Sequence, residues 1–218
     1  MKAVGLLGGT FDPIHEGHLD VARAARLALK LDEVWLIPAR RPSHRTLPVA
    51  SAAHRFAMAA LAAVSDPSMR LNDAEMEHDR PSFTIDTIDR LEHDTPSLAG
   101  RFVFITGADA FRDIRTWHRW EALLDRCHFA VVSREALPAA SLRDHLPGLA
   151  SRMIDAPCTL TSSPGIFLID AVTTRVSSTA VRRALAAGES MKGLLPDAVA
   201  EYAVRQRLYV GSSASING

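Results

Sequence analysis

An apolar run from Ala3 to Leu7 passes into Gly8-Gly9-Thr10-Phe11-Asp12-Pro13-Ile14-His15-Glu16-Gly17-His18. The chain then takes up helical spacing with Leu19, Ala22, Arg23, Arg26, Leu27 and Lys30. A buried strand that turns through glycines into a helix is the start of an α/β pattern. Gly8 and Gly9 lack a Cβ, so backbone there can come close to a ligand. A helix starting near Gly17 aims its free N–H groups and the positive end of its dipole back at the turn, which favours phosphate. Thr10 adds a hydroxyl. His15 and His18 stand three apart across the helix start, so both imidazoles can face one anion. The turn thus offers amide, hydroxyl and imidazole donors to a polyphosphate, and no obvious nucleophile. A Gly-Gly pair alone is an ordinary turn, and two such histidines could equally cap, pack or bind metal. The Lys-Ser/Thr end of a Walker A loop is absent, and no third glycine has dinucleotide-binding spacing.

The alternation continues along the chain. Glu33 to Pro38 reads as a second strand, which completes a βαβ unit. A basic loop over 39–49 follows, with Arg40, Arg41, His44 and Arg45 beyond a strand's C-terminal end, where open α/β sheets place ligands. A helix over 51–64 has Ser51 as N-cap, and 69–77 reads as an extended edge. Thr84 fits the N-cap of a helix from Ile85 to Glu92. Arg101 to Gly107 is a buried strand, and Asp109 beyond it suits either a ribose hydroxyl or a helix cap. Trp120 reads as core. Trp117 could be core, or could stack on a flat heteroaromatic ring. Cys127 to Ser133 and Ile166 to Asp170 are further strands. Between them, 134–163 reads as loops and a short helix over the site, with no chemistry of its own. Ser177 and Ser178 would cap a helix to Ala187, closed by Gly188. A last helix runs from Leu194-Leu195-Pro196 to Gln206. The expected fold class is α/β: a single doubly wound parallel sheet with helices on both faces. It forms one domain over 1–210, and a Ser/Gly-rich tail over 211–218 is expected to be disordered.

Composition narrows the function. Lys plus Arg equals Asp plus Glu, at 25 each, which argues against a protein built to coat nucleic acid. Two cysteines, Cys127 and Cys158, make no metal-type spacing and no disulfide framework. Cys127 reads as a buried free thiol. Met1-Lys2 leads straight into the first strand, and no apolar run approaches the roughly 20 residues of a membrane span. The expectation is a soluble cytoplasmic protein with no membrane partner.

Taken whole, Gly-Gly-Thr-Phe-Asp-Pro-Ile-His-x-Gly-His after a strand closely resembles the signature of the nucleotidyltransferase superfamily. The resemblance implies a Rossmann-like sheet and ATP phosphates on the His-x-Gly-His segment. Val176-Ser177-Ser178-Thr179-Ala180-Val181-Arg182 is similar to that superfamily's second phosphate motif, Ile-Ser-Ser-Thr-x-Ile-Arg, with Val in place of both Ile. Pro81-Ser82-Phe83-Thr84 and Trp117 resemble the nicotinate-nucleotide adenylyltransferase branch, in which such residues lie at the nicotinate ring. Gly107-Ala108-Asp109 matches the family's Gly-x-Asp at the adenosine end. His44 matches a family His, and Arg45 stands where Lys is common; Arg keeps the charge but presents a fork rather than a point. The resemblance spans about residues 4 to 209.

What it implies is transfer of AMP from ATP to nicotinate mononucleotide, giving nicotinate adenine dinucleotide and pyrophosphate, a late step toward NAD. His15, His18 and Arg182 would be catalytic. Gly8, Gly9, Thr10, Phe11, Gly107, Asp109, Ser177, Ser178 and Thr179 would bind ATP, and His44, Arg45, Thr84 and Trp117 the mononucleotide. Mg²⁺ would be held by substrate phosphates and water rather than by a protein cage. Acid-versus-amide selectivity rests on a few donors near the ring, and a homo-oligomer is left open. The alternatives are a sibling enzyme using nicotinamide mononucleotide or phosphopantetheine, or a non-catalytic nucleotide sensor on the same fold. A metal hydrolase built on His15 and His18 lacks a third ligand at sensible spacing.

Overall fold

The structure is a computed structural model; it describes residues 3–43, 47–77, 79–134 and 137–210. His44, Arg45 and the 211–218 tail lie outside the described residues. The described residues form a seven-stranded sheet, all parallel, in the order β3-β2-β1-β4-β5-β7-β6. Its strands are β1 (Val4–Gly9), β2 (Glu33–Pro38), β3 (Met69–Leu71), β4 (Phe102–Gly107), β5 (His128–Val132), β6 (Met153–Asp155) and β7 (Ile166–Ile169). Among the described residues six α-helices lie between strands, α1 (Glu16–Leu29), α2 (Ala52–Val64), α3 (Thr84–Asp94), α4 (Ala108–Arg112), α5 (Trp120–Arg126) and α6 (Leu142–His145), and two follow the last strand, α7 (Ser178–Ala186) and α8 (Asp197–Arg205).

The continuous apolar strands are explained by burial on both faces. Because successive side chains point to opposite faces, Leu6, Phe102, Phe104, Phe129 and Val131 enter one core, with α3, α4, α5 and α6. Leu7, Val103, Ile105, Ala130 and Val132 enter the other, with α1, α2, α7 and α8. Phe102, Phe111, Phe129 and Phe167 are fully buried; each such side chain stabilises the fold by about 1.5–3 kcal/mol relative to an exposed one. Gly5 is required by this packing, because a Cβ there would sit 2.6 Å from Ile105 Cδ1. Cys127 is buried and its thiol is pushed up to about 12 by burial. Among the described residues no helix is long and apolar enough to cross a membrane.

Three local expectations are corrected. Thr84 is the first residue of α3 and Phe83 occupies the cap position; the Thr87 hydroxyl turns back to Glu75 at 2.7 Å and to the Phe83 carbonyl. Asp109 lies inside α4, whose cap is Gly107, so the capping role falls away. The 134–163 segment contributes an edge strand, β6, beside β7; at three residues it is too short to carry a readable period.

The strand order reverses at β1, which pairs with β2 on one side and β4 on the other. In open parallel sheets ligands lie beyond the strand ends at such a switch point. Here those ends carry Gly8-Gly9 and Gly107.

Candidate active site

The phosphate turn is built from the inside. Phe11 is buried and takes φ +50°, an uncommon conformation for a bulky residue. Its ring fills the space beside Gly9, where an added Cβ would lie 2.7 Å from the ring. Phe11 also stands edge-on to His18, 5.2 Å between centroids. His15 and His18 stack at 3.7 Å. The His15 N–H donates to His18 Nδ1 at 3.3 Å, which favours the tautomer carrying its proton on Nε2. His15 is 1% exposed, and its Nδ1 is buried without a hydrogen-bond partner. Burial, then the positive charge of Arg134, lowers its pKa to about 4. At neutral pH the imidazole is therefore uncharged before an anion arrives.

The second phosphate motif docks directly on this turn. Ser177 caps α7 by accepting from the Ala180 N–H at 3.2 Å. The Ser178 hydroxyl donates to the Pro13 carbonyl at 3.0 Å, and Arg182 Nη1 donates to the Asp12 carbonyl at 2.7 Å. Arg182 Nη2 is 3.3 Å from the Thr179 hydroxyl. The approach needs Gly17: a Cβ there would lie 3.0 Å from the Thr174 carbonyl oxygen and 3.1 Å from Val176 Cγ1. Asp20, one turn into α1, fixes the same segment by accepting from the Thr174 N–H at 2.9 Å and its hydroxyl at 2.6 Å.

Asp12 is spent on structure. It is 5% exposed, and its carboxylate accepts from the Val49 N–H at 2.8 Å, the Ala50 N–H at 3.0 Å and the Tyr209 hydroxyl at 2.8 Å. Beside it Arg55, 1% exposed, donates to the carbonyls of Thr10 and Ala39 at 2.6 Å, Arg40 at 2.9 Å and Ala50 at 3.3 Å. The turn and the loop after β2 are therefore one hydrogen-bonded unit.

On the other side of β1, Thr84 and Trp117 are brought together. With Ser43, Ser82, Phe83, His118 and Leu123 they line a cavity of about 110 Å³, against the roughly 150 Å³ in which benzene binds in a closed apolar site. Trp117 stands edge-on to Phe104 at 5.8 Å, and Phe83 faces His118 at 4.3 Å. Pro42 bridges to Ser82, whose N–H donates to the Arg41 carbonyl at 3.0 Å, so Arg41 and Pro42 lie alongside the start of the Ser82–Thr84 motif. Glu75 lies behind that motif; burial raises its carboxyl pKa against the pull of the Thr87 and Ser82 hydrogen bonds. Trp120 is half-buried and packs on the core.

Gly107 and Asp109 stand at the end of β4, with the Asp109 carboxylate exposed. A Cβ on Gly107 would collide with Asp109 Oδ1 and come within 2.8 Å of Arg134 Cγ. Arg134 thus belongs to this edge, a cation that the sequence left in a segment without chemistry. Arg55, Asp12, Tyr209 and Glu75 were also missed. A charged residue inside an Ala-rich helix, as at Arg55, was the one available signal. Among the described residues no group of three or more His, Cys, Asp or Glu side chains is placed to hold a metal ion.

Comparison with known proteins agrees with this geometry. The cytidylyltransferase-like family matches residues 6–184. A "Probable nicotinate-nucleotide adenylyltransferase" of Pseudomonas aeruginosa (strain UCBPP-PA14) is 41% identical over 212 residues, 95% of this chain and 97% of that one. A protein of the same description from Aeromonas hydrophila is 39% identical over 209 residues, 94% and 96% of the two chains. Among solved structures, the Plasmodium falciparum nicotinic acid mononucleotide adenylyltransferase complexed with NaAD superposes with a TM-score of 0.73. It is 20% identical and covers 96% of this chain and 98% of that one, a likeness of fold.

Proposed function

The chain belongs to the nicotinate-nucleotide adenylyltransferase family, and from that premise we propose how its one domain, residues 1–210, carries out the transfer of AMP from ATP to nicotinate mononucleotide. The reaction yields nicotinate adenine dinucleotide and pyrophosphate and belongs to NAD biosynthesis. The observation that carries the proposal is the docking of Ser178 and Arg182 on Pro13 and Asp12, which joins two phosphate motifs from opposite ends of the chain.

In this reading the triphosphate lies over Gly8, Gly9, Thr10 and Phe11 and against Ser177, Ser178 and Thr179. Gly107 and Asp109 take the adenosine end, with the Asp109 carboxylate on ribose hydroxyls. Nicotinate mononucleotide places its ring between Thr84 and Trp117, and its phosphate faces the loop that holds His44 and Arg45. A phosphate oxygen of the mononucleotide attacks the α-phosphorus of ATP in line, and the bond to the β-phosphate oxygen breaks. That phosphate is already ionised at neutral pH, so no general base is required and no enzyme-bound intermediate forms. The protein positions the two phosphates and stabilises charge. His18 donates through Nε2, His15 through one ring N–H, and Arg182 through its guanidinium. Negative charge arriving beside His15 favours its protonation and opposes the effect of Arg134.

Enzymes of this kind generally use a divalent metal, and Mg²⁺ is our assignment. The described residues offer no cage for it, and the Asp12 carboxylate is occupied by Val49, Ala50, Tyr209 and Arg182. The ion would therefore be carried by phosphate oxygens and water. Excess chelator is expected to abolish turnover and added Mg²⁺ to restore it; turnover that persists in chelator removes the metal from the reaction.

The test of the function is pyrophosphate release with ATP and Mg²⁺, run with nicotinate mononucleotide, nicotinamide mononucleotide and phosphopantetheine side by side. The expected result is a clear kcat/KM preference for the nicotinate acid. Preference for another acceptor keeps the phosphate chemistry and voids the ring site; no release with any acceptor removes the enzyme reading. Trp117→Ala is expected to raise the mononucleotide KM about tenfold, the scale of one aromatic contact, with the ATP KM little changed. An equal rise in both would assign Trp117 to packing on Phe104 and Phe129 alone.

A further inference from the structure

We propose that Tyr209 is a positioning residue: through the Asp12 carboxylate it holds the loop after β2 in register with Arg182, and so aligns the two reacting phosphates. The inference rests on the functional reading above and adds to it a residue outside every phosphate and ring motif.

The geometry is specific. Asp12 holds two segments at once. Its carboxylate takes the Val49 and Ala50 N–H groups at 2.8 and 3.0 Å, while Arg182 Nη1 donates to its main-chain carbonyl at 2.7 Å and lies 3.7 Å from Oδ2 of the same carboxylate. Any rotation of Asp12 therefore moves the acceptor-side loop and the triphosphate arginine relative to each other. The Tyr209 hydroxyl is the further tie, at 2.8 Å to Oδ1, the oxygen that also takes Ala50. Tyr209 arrives from beyond α8, 197 residues away in sequence, in a left-handed conformation with φ +64°. A bulky residue held there is an outlier that the surroundings must impose. Burial and the Asp12 charge push its phenol well above its ordinary pKa, so it stays a donor across the working pH range. Arg182 supplies the paired charge, its Nη1 3.7 Å from Asp12 Oδ2, and the buried guanidinium of Arg55 adds a second positive charge nearby and clamps the same loop by its carbonyls.

In-line transfer is sensitive to such a tie, since a misplacement of about 1 Å can cost on the order of 10²-fold in rate. Tyr209→Phe keeps the ring and its packing and removes only the hydroxyl. Loss of one hydrogen bond to a charged acceptor is expected to lower kcat about tenfold, with both KM values held within about twofold and Tm lowered by several degrees, which leaves the protein folded at the assay temperature. Turnover is measured with whichever acceptor the wild type uses best, so a wrong acceptor assignment alters the functional reading and leaves this test standing. The second arm is a double-mutant cycle with Asp12→Asn. If Tyr209 acts through Asp12, Tyr209→Phe has little further effect on kcat in that background. A kcat in Tyr209→Phe within twofold of wild type overturns the proposal. So does a loss that merely follows the folded fraction, or one that is fully additive with Asp12→Asn. Wild type that releases no pyrophosphate is a different result and overturns the functional reading itself.

Discussion

Replacing His18 with alanine is expected to lower kcat by about 10²–10³, the range for removing one preorganised donor from a site where charge develops. The argument is geometric. His18 sits in the first turn of α1, where Phe11 lies edge-on to its ring and His15 stacks on it. Its Nδ1 is engaged by the His15 N–H. With Nδ1 accepting, the proton is carried on the other nitrogen, Nε2, which is the donor assigned to the phosphate. A donor fixed before substrate arrives needs no reorganisation as charge builds on the α-phosphate, so its loss falls on kcat rather than on the ATP KM. His18→Gln, whose amide nitrogen reaches about as far as Nε2, should recover part of the rate, while His18→Asn should recover less. Steady-state kinetics with Tm recorded on each variant decide the matter. Unchanged kcat in a folded His18→Ala protein would remove His18 from the mechanism.

What could be read from the sequence follows from what leaves a local trace. Strands buried on both faces leave apolar runs, so β2 was bounded correctly from Glu33 to Pro38 and β4 and β5 to within a residue at each end. Helix caps leave a residue type at a fixed offset, and Ser51 and Ser177 cap as expected. Thr84 follows the same rule and fails it, because the chain enters α3 one residue earlier, where the Phe83 ring lies against His118. The phosphate and ring residues were legible because each lies within a dense local motif. The residues that join those motifs were not. Asp12 stands within the turn, but nothing local says that it accepts from Val49, Ala50 and Tyr209. Arg134 sits in a Pro-rich stretch with no period, and only the pairing of β4 with β5 brings it beside Gly107. Such long-range polar ties depend on the completed sheet, since one residue's partners come from several strand ends.

Arg55→Ala is expected to cost about 3–5 kcal/mol of stability, the scale of breaking a buried charge pairing from one side. Arg55 is 1% exposed within α2, a helix otherwise rich in alanine. Burial lowers its pKa, and the charge of Asp12 is the largest effect opposing that shift. Truncation would strand the carbonyls of Thr10, Ala39, Arg40 and Ala50, which Arg55 now satisfies, and would remove a buried positive charge that Asp12 feels, leaving Arg182 as its ion-pair partner. A chain of this length loses about 2–4 °C of Tm per kcal/mol, so Tm should fall by roughly 10 °C or more. Arg55→Lys separates charge from geometry. An ammonium keeps the charge near Asp12 but lacks the planar fork that reaches several carbonyls at once, so its Tm should lie between the two. Thermal unfolding by circular dichroism is the measurement. A fall of less than about 2 °C in Arg55→Ala would mean that water replaces the guanidinium without loss, and the carbonyl cage would then have no structural weight. A large fall in Ala with full recovery in Lys would leave charge as the whole effect. The intermediate value for Lys is the result that requires the fork, and with it the joining of the phosphate turn to the loop after β2.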